Sequence, residues 1–118
     1  MGEVLIGIVG PCAAGKTTLV CSLRLYGFSV RHIAQEHSYV KNMWQRISNP
    51  DILVFLDVSY PVSIKRRHLN WTFDEYQEQQ RRLQHARQHA NLYIVTDEYT
   101  IDQVLSLVLE MLRKAIKF

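Results

Sequence analysis

The sequence predicts an α/β protein, a three-layer α/β/α sandwich around a short parallel sheet of about four strands. Two kinds of segment along the chain carry this prediction. Some segments are short and either wholly apolar or alternate between apolar and polar residues, which is typical of strands. Between them lie segments with the apolar spacing of helices. This alternation implies that the strands run parallel and are joined by right-handed crossover connections. The four strands are predicted at residues 4–9, 28–34, 52–56 and 92–95.

Apolar spacing predicts the first two helices. Hydrophobic residues recur at helical spacing between residues 19 and 23, and Gly27 is placed to end that helix. Ser38 is predicted to cap a second helix, which runs to about Arg46. The apolar face of the second helix is formed by Val40, Met43, Trp44 and Ile47.

N-terminal capping signals mark the later helices. Ser59, followed by a proline two residues later, starts one helix. Thr72 and Glu75 form a capping box, which opens a long polar helix to about His89. A second capping box at residues 100–103 opens the C-terminal helix. The apolar side of that helix is formed by Val104, Leu105, Val108, Leu112 and Ile116.

Composition bounds the class of protein. The 118 residues are expected to form a single domain, residues 1–118. The hydrophobic content of 47% and the charged content of 21% are ordinary for a soluble protein. No apolar run approaches the ~20 residues that a membrane helix needs. We therefore expect a cytoplasmic protein with no membrane partner, in which Cys12 and Cys21 are reduced thiols.

The net charge of +3 is concentrated in one stretch of the chain. Residues 65–87 contain six basic and three acidic side chains, so this stretch carries the whole excess. Two interpretations stand beside each other: an anionic ligand nearby, or an exposed helix with ordinary surface arginines. A nucleic acid is not favoured as that ligand, because exposed aromatic residues are not interleaved with the modest charge.

Residues 10–17 form the most informative motif, a glycine loop between the first strand and the first helix that reads G-x-x-x-x-G-K-T. Gly10 and Gly15 permit backbone angles that point successive N–H groups at an anion, which the positive end of the helix also attracts. Lys16 can reach the β- and γ-phosphates of a nucleotide, and the Thr17 hydroxyl is a typical Mg²⁺ ligand. The predicted ligand is a Mg²⁺–nucleoside triphosphate, bound by Gly10, Pro11, Cys12, Ala13, Ala14, Gly15, Lys16, Thr17 and Thr18.

On this motif the chain resembles the P-loop NTPase superfamily, and within it the nucleoside-monophosphate-kinase-like and shikimate- or gluconate-kinase-like small kinases. Residues 50–59 look like the family's late strand, which ends in L-D-V. Residues 63–89 are similar to its helix–lid–helix segment, and residues 91–97 to its last strand. The resemblance implies the P-loop NTPase fold, the strand order 2-1-3-4 and phosphoryl transfer to a small-molecule acceptor. ATP is favoured over GTP because no N-K-x-D run follows a late strand.

One part of the family pattern is absent. Kinases of this group carry helices after an early strand, and these helices bind the phosphoryl acceptor. Here only Tyr26 and Gly27 separate the first helix from the second strand, and one helix fits between residues 38 and 48. Three alternatives follow: the acceptor is small, a second subunit such as the other copy in a homodimer completes the site, or no acceptor exists. In the third alternative the chain is a nucleotide-binding switch module that hydrolyses its nucleotide slowly or not at all.

Two carboxylates are candidates for catalysis or Mg²⁺ binding beside the phosphates. If the second strand neighbours the first, Glu36 lies at the carboxyl edge of the sheet, where it can polarise an acceptor hydroxyl or hold a metal-bound water. Asp57 ends an apolar strand, which is the usual setting of a metal-supporting aspartate, although the aspartate of the family's L-D-V often has a structural role. We assign Glu36 to catalysis, and Thr17 and Asp57 to Mg²⁺.

Four arginines of the basic stretch are candidates for closing over the phosphates: Arg66, Arg67, Arg81 and Arg82. An arginine near the γ-phosphate offsets the charge that develops in the transition state of phosphoryl transfer. Adjacent residues on a helix diverge by about 100°, so at most one of Arg81 and Arg82 points inward. Arg67 completes the predicted catalytic set with Lys16 and Glu36.

Overall fold

The structure, a computed structural model, describes residues 4–67 and 70–116 of the chain. Its strands are β1 (Leu5–Val9), β2 (Ser29–His32), β3 (Ile52–Asp57) and β4 (Leu92–Val95). They form one parallel sheet in the order β2-β1-β3-β4, which is the order that the resemblance implied. The α/β class and the four-stranded parallel sheet are therefore confirmed.

Six α-helices and one turn of 3₁₀-helix, Gln35–His37, occur in the described ranges. No helix in these ranges is both long enough and apolar enough to cross a bilayer. The helices are α1 (Lys16–Leu25), α2 (Met43–Ile47), α3 (Tyr60–Arg67), α4 (Phe73–Arg82), α5 (Gln84–His89) and α6 (Ile101–Ile116).

Helices cover both faces of the sheet, so the strands alternate between two apolar clusters. Leu23 of α1 and Leu112 of α6 share a cluster with Val54 of β3. On the other face, Phe55 lies in a cluster with Leu83, between α4 and α5. Because both faces are covered, all six residues of β3 are buried, which explains its continuous apolar sequence.

The predicted helix from Ser38 to Arg46 is wrong in its extent, since only α2 is helical there. The Ser38 hydroxyl accepts a hydrogen bond from the Val40 N–H at 3.1 Å and so stabilises a local turn instead of capping a helix. The buried amide of Gln35 controls the segment: its Oε1 accepts from the Trp44 N–H at 2.8 Å, and its Nε2 donates to the Val40 carbonyl at 2.8 Å. Of the predicted apolar face, Trp44 is buried while Ile47 is 72% exposed.

The long polar helix that was predicted to end near His89 is divided into α4 and α5. The break falls at Leu83, whose fully buried side chain packs under the sheet. Both capping boxes are confirmed. Glu75 N–H donates to the Thr72 hydroxyl at 3.2 Å, and Thr72 N–H donates back to the Glu75 carboxylate at 3.0 Å. The same reciprocal pair of hydrogen bonds opens α6.

Two glycines bracket the loop between β1 and α1, and they need glycine for different reasons. A Cβ atom on Gly10 would lie 1.9 Å from the carbonyl oxygen of Leu56, in the middle of the sheet. Gly15 has a φ of 98°, which is left-handed, but a Cβ atom there would meet nothing within 4 Å. Gly10, whose φ is 153°, is therefore fixed by close packing against β3 in addition to its backbone conformation, and Gly15 by backbone conformation alone.

We expect Gly10→Ala to destabilise the protein by about 2 kcal/mol or more beyond Gly15→Ala. The added methyl group of Gly10→Ala can be accommodated only by moving β3. The matched substitution Gly15→Ala costs only the left-handed backbone, about 1–2 kcal/mol. Urea unfolding of the two variants measures the difference, and equal losses of unfolding free energy would show that Gly10 is not held against β3.

Candidate functional site

The glycine loop leaves the carboxyl end of β1 and enters α1 directly. Ala13 and Gly15 both adopt positive φ angles, 69° and 98°, which turn the backbone around the start of the helix. No side chain of the described residues caps the N-terminus of α1, and its first turn contains no acidic residue. An uncapped, positive helix end inside a curved loop is a setting that favours an anion.

Lys16, the first residue of α1, is buried with only 6% of its surface exposed. Its ammonium group folds back over the loop and donates to the carbonyl oxygens of Gly10 at 2.5 Å and Pro11 at 3.1 Å. It also lies 2.7 Å from Oε2 of Glu36, with which it forms a buried ion pair. The three N–H groups of the Lys16 ammonium thus all have partners within the protein.

Glu36 reaches Lys16 because the chain continues past β2 along the edge of β1. The Ile33 N–H donates to the carbonyl oxygen of Ile8 at 3.0 Å, and the 3₁₀ turn that follows carries Glu36 inward. The Glu36 side chain is 3% exposed, and within the described residues its Oε1 is buried without a hydrogen-bond partner. The position that was predicted for Glu36, at the carboxyl edge beside the loop, is the one that the structure has.

A cavity of about 270 Å³ lies in front of the loop and collects these groups. Seven of the nine residues predicted to bind the nucleotide line it, while Gly10 and Pro11 contribute the carbonyl oxygens that hold Lys16. The far wall is formed by His32, Glu36 and His37. Burial, followed by the positive charge of Lys16, lowers the pKa of His32 and so favours its neutral form.

A second cavity, of about 560 Å³, lies on the other side of the loop between α1 and α6. Arg66 of α3 stands at its edge and donates to the carbonyl oxygen of Ala13 at 3.2 Å and to the Thr96 hydroxyl at 2.8 Å. Tyr99 also lines this cavity. Residues 13–15 line both cavities, so the loop is the partition between them.

The other predicted arginines take different positions. Arg82 is turned inward: its guanidinium donates to the carbonyl oxygen of Glu36 at 3.3 Å and lies 4.3 Å from the centre of the Tyr39 ring. Arg81 is turned outward and pairs with Glu78 on the same helix. The side chain of Arg67, at the end of α3, lies outside the described residues, so its predicted catalytic role stays a prediction.

Asp57 does not share the cavity that contains Thr17, the other predicted Mg²⁺ ligand. Its Oδ1 accepts from the Val58 N–H and from Gln80 Nε2, both at 2.9 Å. Its Oδ2 accepts from the Tyr93 hydroxyl and lies 3.5 Å from the Arg87 guanidinium. The carboxylate therefore joins β3 to α4, α5 and β4, which is the structural role that the resemblance also allowed.

Gln79, a buried residue of α4 that hydrogen-bonds to the loop, was not predicted from the sequence. Its Oε1 accepts from the Cys12 N–H at 3.0 Å, and its Nε2 donates to the Cys12 sulfur at 3.2 Å. The only signal was a glutamine in a long polar helix, and nothing in a single sequence separates it from its exposed neighbours. The basic stretch thus contributes an uncharged residue to the loop, Gln79, as well as Arg66.

The chain matches no protein-family model, no curated protein and no solved structure. What it can do chemically has to be argued from its own side chains. Among the described residues, these offer an uncapped helix end, a buried lysine paired with a carboxylate, and in that carboxylate one oxygen without a partner.

The ion pair predicts a strong energetic coupling between Lys16 and Glu36. We expect Lys16→Met to cost about 3–5 kcal/mol of unfolding free energy, because it leaves the Glu36 charge buried without a partner. Combining Lys16→Met with Glu36→Gln should recover part of this loss, since no buried charge remains. Urea unfolding of the two single variants and the double variant at neutral pH measures the coupling. Losses that simply add, within about 0.5 kcal/mol, would contradict the buried pair.

The Asp57 cluster predicts a stability change at high pH. Burial, followed by the hydrogen bond to Asp57, raises the pKa of Tyr93 from 10.0 to about 12. The neutral phenol therefore stabilises the folded state fully below the ordinary pKa, and this contribution is lost as pH rises through about 12. We expect Tyr93→Phe to flatten the fall in unfolding free energy over that range. Tyr26→Phe, at a tyrosine that is 63% exposed, is the control, and equal profiles for the two variants would refute the assignment.

Proposed function

We propose that this protein binds Mg²⁺–ATP at the loop of residues 10–17 and transfers its γ-phosphoryl group to a small acceptor, as a small kinase of the P-loop NTPase fold. One observation carries the proposal. The buried ammonium group of Lys16 lies between the uncapped loop and Glu36, a carboxylate that is 3% exposed and still has one unpartnered oxygen. A cation and a carboxylate, buried together at a phosphate-binding loop, are the two charges that phosphoryl transfer uses.

The phosphates fit the 270 Å³ cavity, because its floor is made of loop backbone and the start of α1. Lys16 exchanges the carbonyl oxygens of Gly10 and Pro11 and the carboxylate of Glu36 for phosphate oxygens. This exchange is favourable because phosphates bring several negative charges to an ammonium that is already desolvated. The same movement releases Glu36, so nucleotide binding prepares the carboxylate for its own role.

The nucleoside fits the 560 Å³ cavity on the other side of the loop. Its volume lies in the range of small-molecule sites, and its walls combine apolar residues of α1 and α6 with a few polar groups. Tyr99 offers a ring to the base, and Arg66, which is anchored on Thr96, brings a positive charge next to the loop. Because the loop separates the two cavities, a nucleotide placed across it puts its phosphates in one and its base in the other.

The residues of the phosphate cavity also fit Mg²⁺. The Thr17 hydroxyl is an oxygen ligand, and the unpartnered Oε1 of Glu36 is a buried acceptor in the same cavity that a hydrated cation can satisfy. Mg²⁺ would supply charge neutralisation on the phosphates. It is held in such sites by few protein oxygens together with phosphates and water, so a full cage of carboxylates is not required.

Glu36 is the residue that orients the acceptor. In the proposed step, the acceptor oxygen forms a bond to the γ-phosphorus, the bond from that phosphorus to the β–γ bridging oxygen breaks, and ADP leaves. The proton of the acceptor hydroxyl passes to the carboxylate of Glu36. The acceptor must be small, because only the 3₁₀ turn and the five-residue α2 lie between β2 and β3.

A switch module without an acceptor is the second candidate. The same short connection between β2 and β3 favours it, since no described element there is large enough to enclose a substrate. In this case Lys16 alternates between Glu36 and the phosphates, and the movement of Glu36 is what a partner protein reads. The two candidates share nucleotide binding and differ in whether any acceptor is phosphorylated.

Nucleotide binding is tested by the thermal stability of the protein with and without Mg²⁺–ATP. We expect a rise in Tm that corresponds to about 2.7 kcal/mol when ATP is at 100 times its Kd. The shift should vanish in Lys16→Met and persist in Lys41→Met, at an exposed lysine outside the loop. Each variant is compared with its own unliganded Tm, and the Lys16→Met/Glu36→Gln double variant replaces Lys16→Met if the single variant does not fold. An unshifted Tm in the unmodified protein would overturn the proposal.

Transfer is tested by ADP release with a panel of small hydroxyl compounds. An acceptor that accelerates ADP release identifies a kinase. Glu36→Gln should then lower turnover by about 10²–10⁴-fold while Mg²⁺–ATP still shifts the Tm. Unchanged turnover in Glu36→Gln would refute the role of Glu36. Slow ADP release that no compound accelerates would favour the switch module instead.

A further inference from the structure

The phosphate cavity contains a second group of ligating atoms, which phosphoryl transfer does not use as a set. The Cys12 sulfur, a Glu36 carboxylate oxygen and a His37 ring nitrogen all lie within 4.8 Å of one another. We propose that these three side chains bind a zinc ion. Sulfur, nitrogen and oxygen are the three ligand types that zinc takes in proteins, whereas Mg²⁺ takes oxygen. The site requires no phosphate, so it does not rest on the proposed function.

Glu36 provides an independent sign that a cation belongs in this place. Its Oε1 is buried and accepts no hydrogen bond from the described residues, although its Oε2 is paired with Lys16. A buried carboxylate oxygen without a partner is costly, and proteins seldom leave one. It lines the same cavity as Cys12 and His37, so a metal ion there would satisfy it.

The distances are close to those of a zinc site. Ligand atoms around a tetrahedral zinc ion lie roughly 3.3–3.8 Å apart, given metal–ligand bonds of about 2.0–2.3 Å. Nε2 of His37 lies 3.8 Å from Oε2 of Glu36, the oxygen that Lys16 holds, so the imidazole already stands beside the carboxylate, whose Oε1 has no partner among the described residues. The three ligand atoms lie within 4.8 Å of one another, so no separation has to shorten by more than about 1 Å. The His37 side chain is 61% exposed and can rotate to do so, and water completes the fourth position of the metal.

The Cys12 ligand is held in place by a second residue, as ligands in metal sites usually are. Gln79 accepts the Cys12 N–H at 3.0 Å and donates its amide N–H to the sulfur at 3.2 Å. These two hydrogen bonds fix the direction in which the Cys12 sulfur faces. Gln79 is buried, so its orientation is fixed by the packing of α4 against the loop.

The positive charge of Lys16 should affect zinc binding and nucleotide binding in opposite directions. Its ammonium group lies 2.7 Å from Glu36 and repels a second cation at the same carboxylate. Removing this charge should therefore strengthen zinc binding, whereas it should abolish nucleotide binding. Measuring both affinities in Lys16→Met therefore tests the zinc proposal and the nucleotide proposal separately.

The experiment uses the full chain, reduced and metal-free, without nucleotide. Zinc is titrated in competition with a chromophoric chelator, and Co²⁺ is used as a spectroscopic substitute. We expect one equivalent of metal and, with Co²⁺, a near-ultraviolet band that reports a bond from sulfur to the metal. Cys12→Ser should abolish the band, and Cys12→Ser and His37→Ala should each weaken zinc binding by about tenfold or more. The Lys16→Met/Glu36→Gln double variant is avoided because it removes the carboxylate ligand, so Lys16→Met alone is used for the gain in affinity.

Two matched controls decide the outcome. Cys21→Ser changes the exposed cysteine of α1, and His89→Ala changes an exposed histidine of α5. Neither control should alter the stoichiometry or the Co²⁺ band. Circular dichroism verifies that every variant is folded. No metal binding by the unmodified protein, or equal losses in Cys12→Ser and Cys21→Ser, would overturn the site, whatever the result with Mg²⁺–ATP.

Discussion

The buried ion pair between Lys16 and Glu36 is the interaction on which the rest of the site depends. It joins the start of α1 to the 3₁₀ turn after β2, two segments that are 20 residues apart in sequence. A charge that is buried needs an opposite charge or several hydrogen bonds, and Lys16 has both, through Glu36 and the carbonyl oxygens of the loop. This one pair of charges therefore ties the loop directly to the segment that carries Glu36.

The same pair explains why two kinds of ligand are proposed for one cavity. An anion that takes Lys16 away leaves Glu36 unpaired, and a cation that takes Glu36 removes the partner of Lys16. In the two proposals, each half of the pair is a binding group that its partner occupies until a ligand binds. Oε1 of Glu36 has no hydrogen-bond partner in the described part of the chain, so the pairing leaves one carboxylate oxygen unsatisfied. The sheet makes this possible, because parallel strands bring the segments after β1 and β2 to one edge.

The sequence allowed the strands, the glycine loop and the neighbourhood of Glu36 to be predicted, because each depends on local chemistry or on the parallel order of neighbouring strands. It could not reveal the break at Leu83, because a polar helical pattern does not show which single leucine is buried beneath the sheet. The misplaced helix at Ser38 has a similar cause: the hydrogen bond from the Trp44 N–H to the buried side chain of Gln35, nine residues earlier, outweighed a local capping signal. Asp57 carried the pattern of a metal-supporting residue, yet its partners come from α4, α5 and β4, which no local pattern encodes.

The most direct measurement is a crystal structure of the protein with Mg²⁺ and a non-hydrolysable ATP analogue. Our account predicts that the Lys16 ammonium group leaves Oε2 of Glu36, from which it is 2.7 Å distant at rest, and contacts the phosphates. The base should lie in the cavity beside Tyr99, with Glu36 facing the terminal phosphate. An analogue that binds while Lys16 remains on Glu36, or that binds away from the loop, would contradict the account.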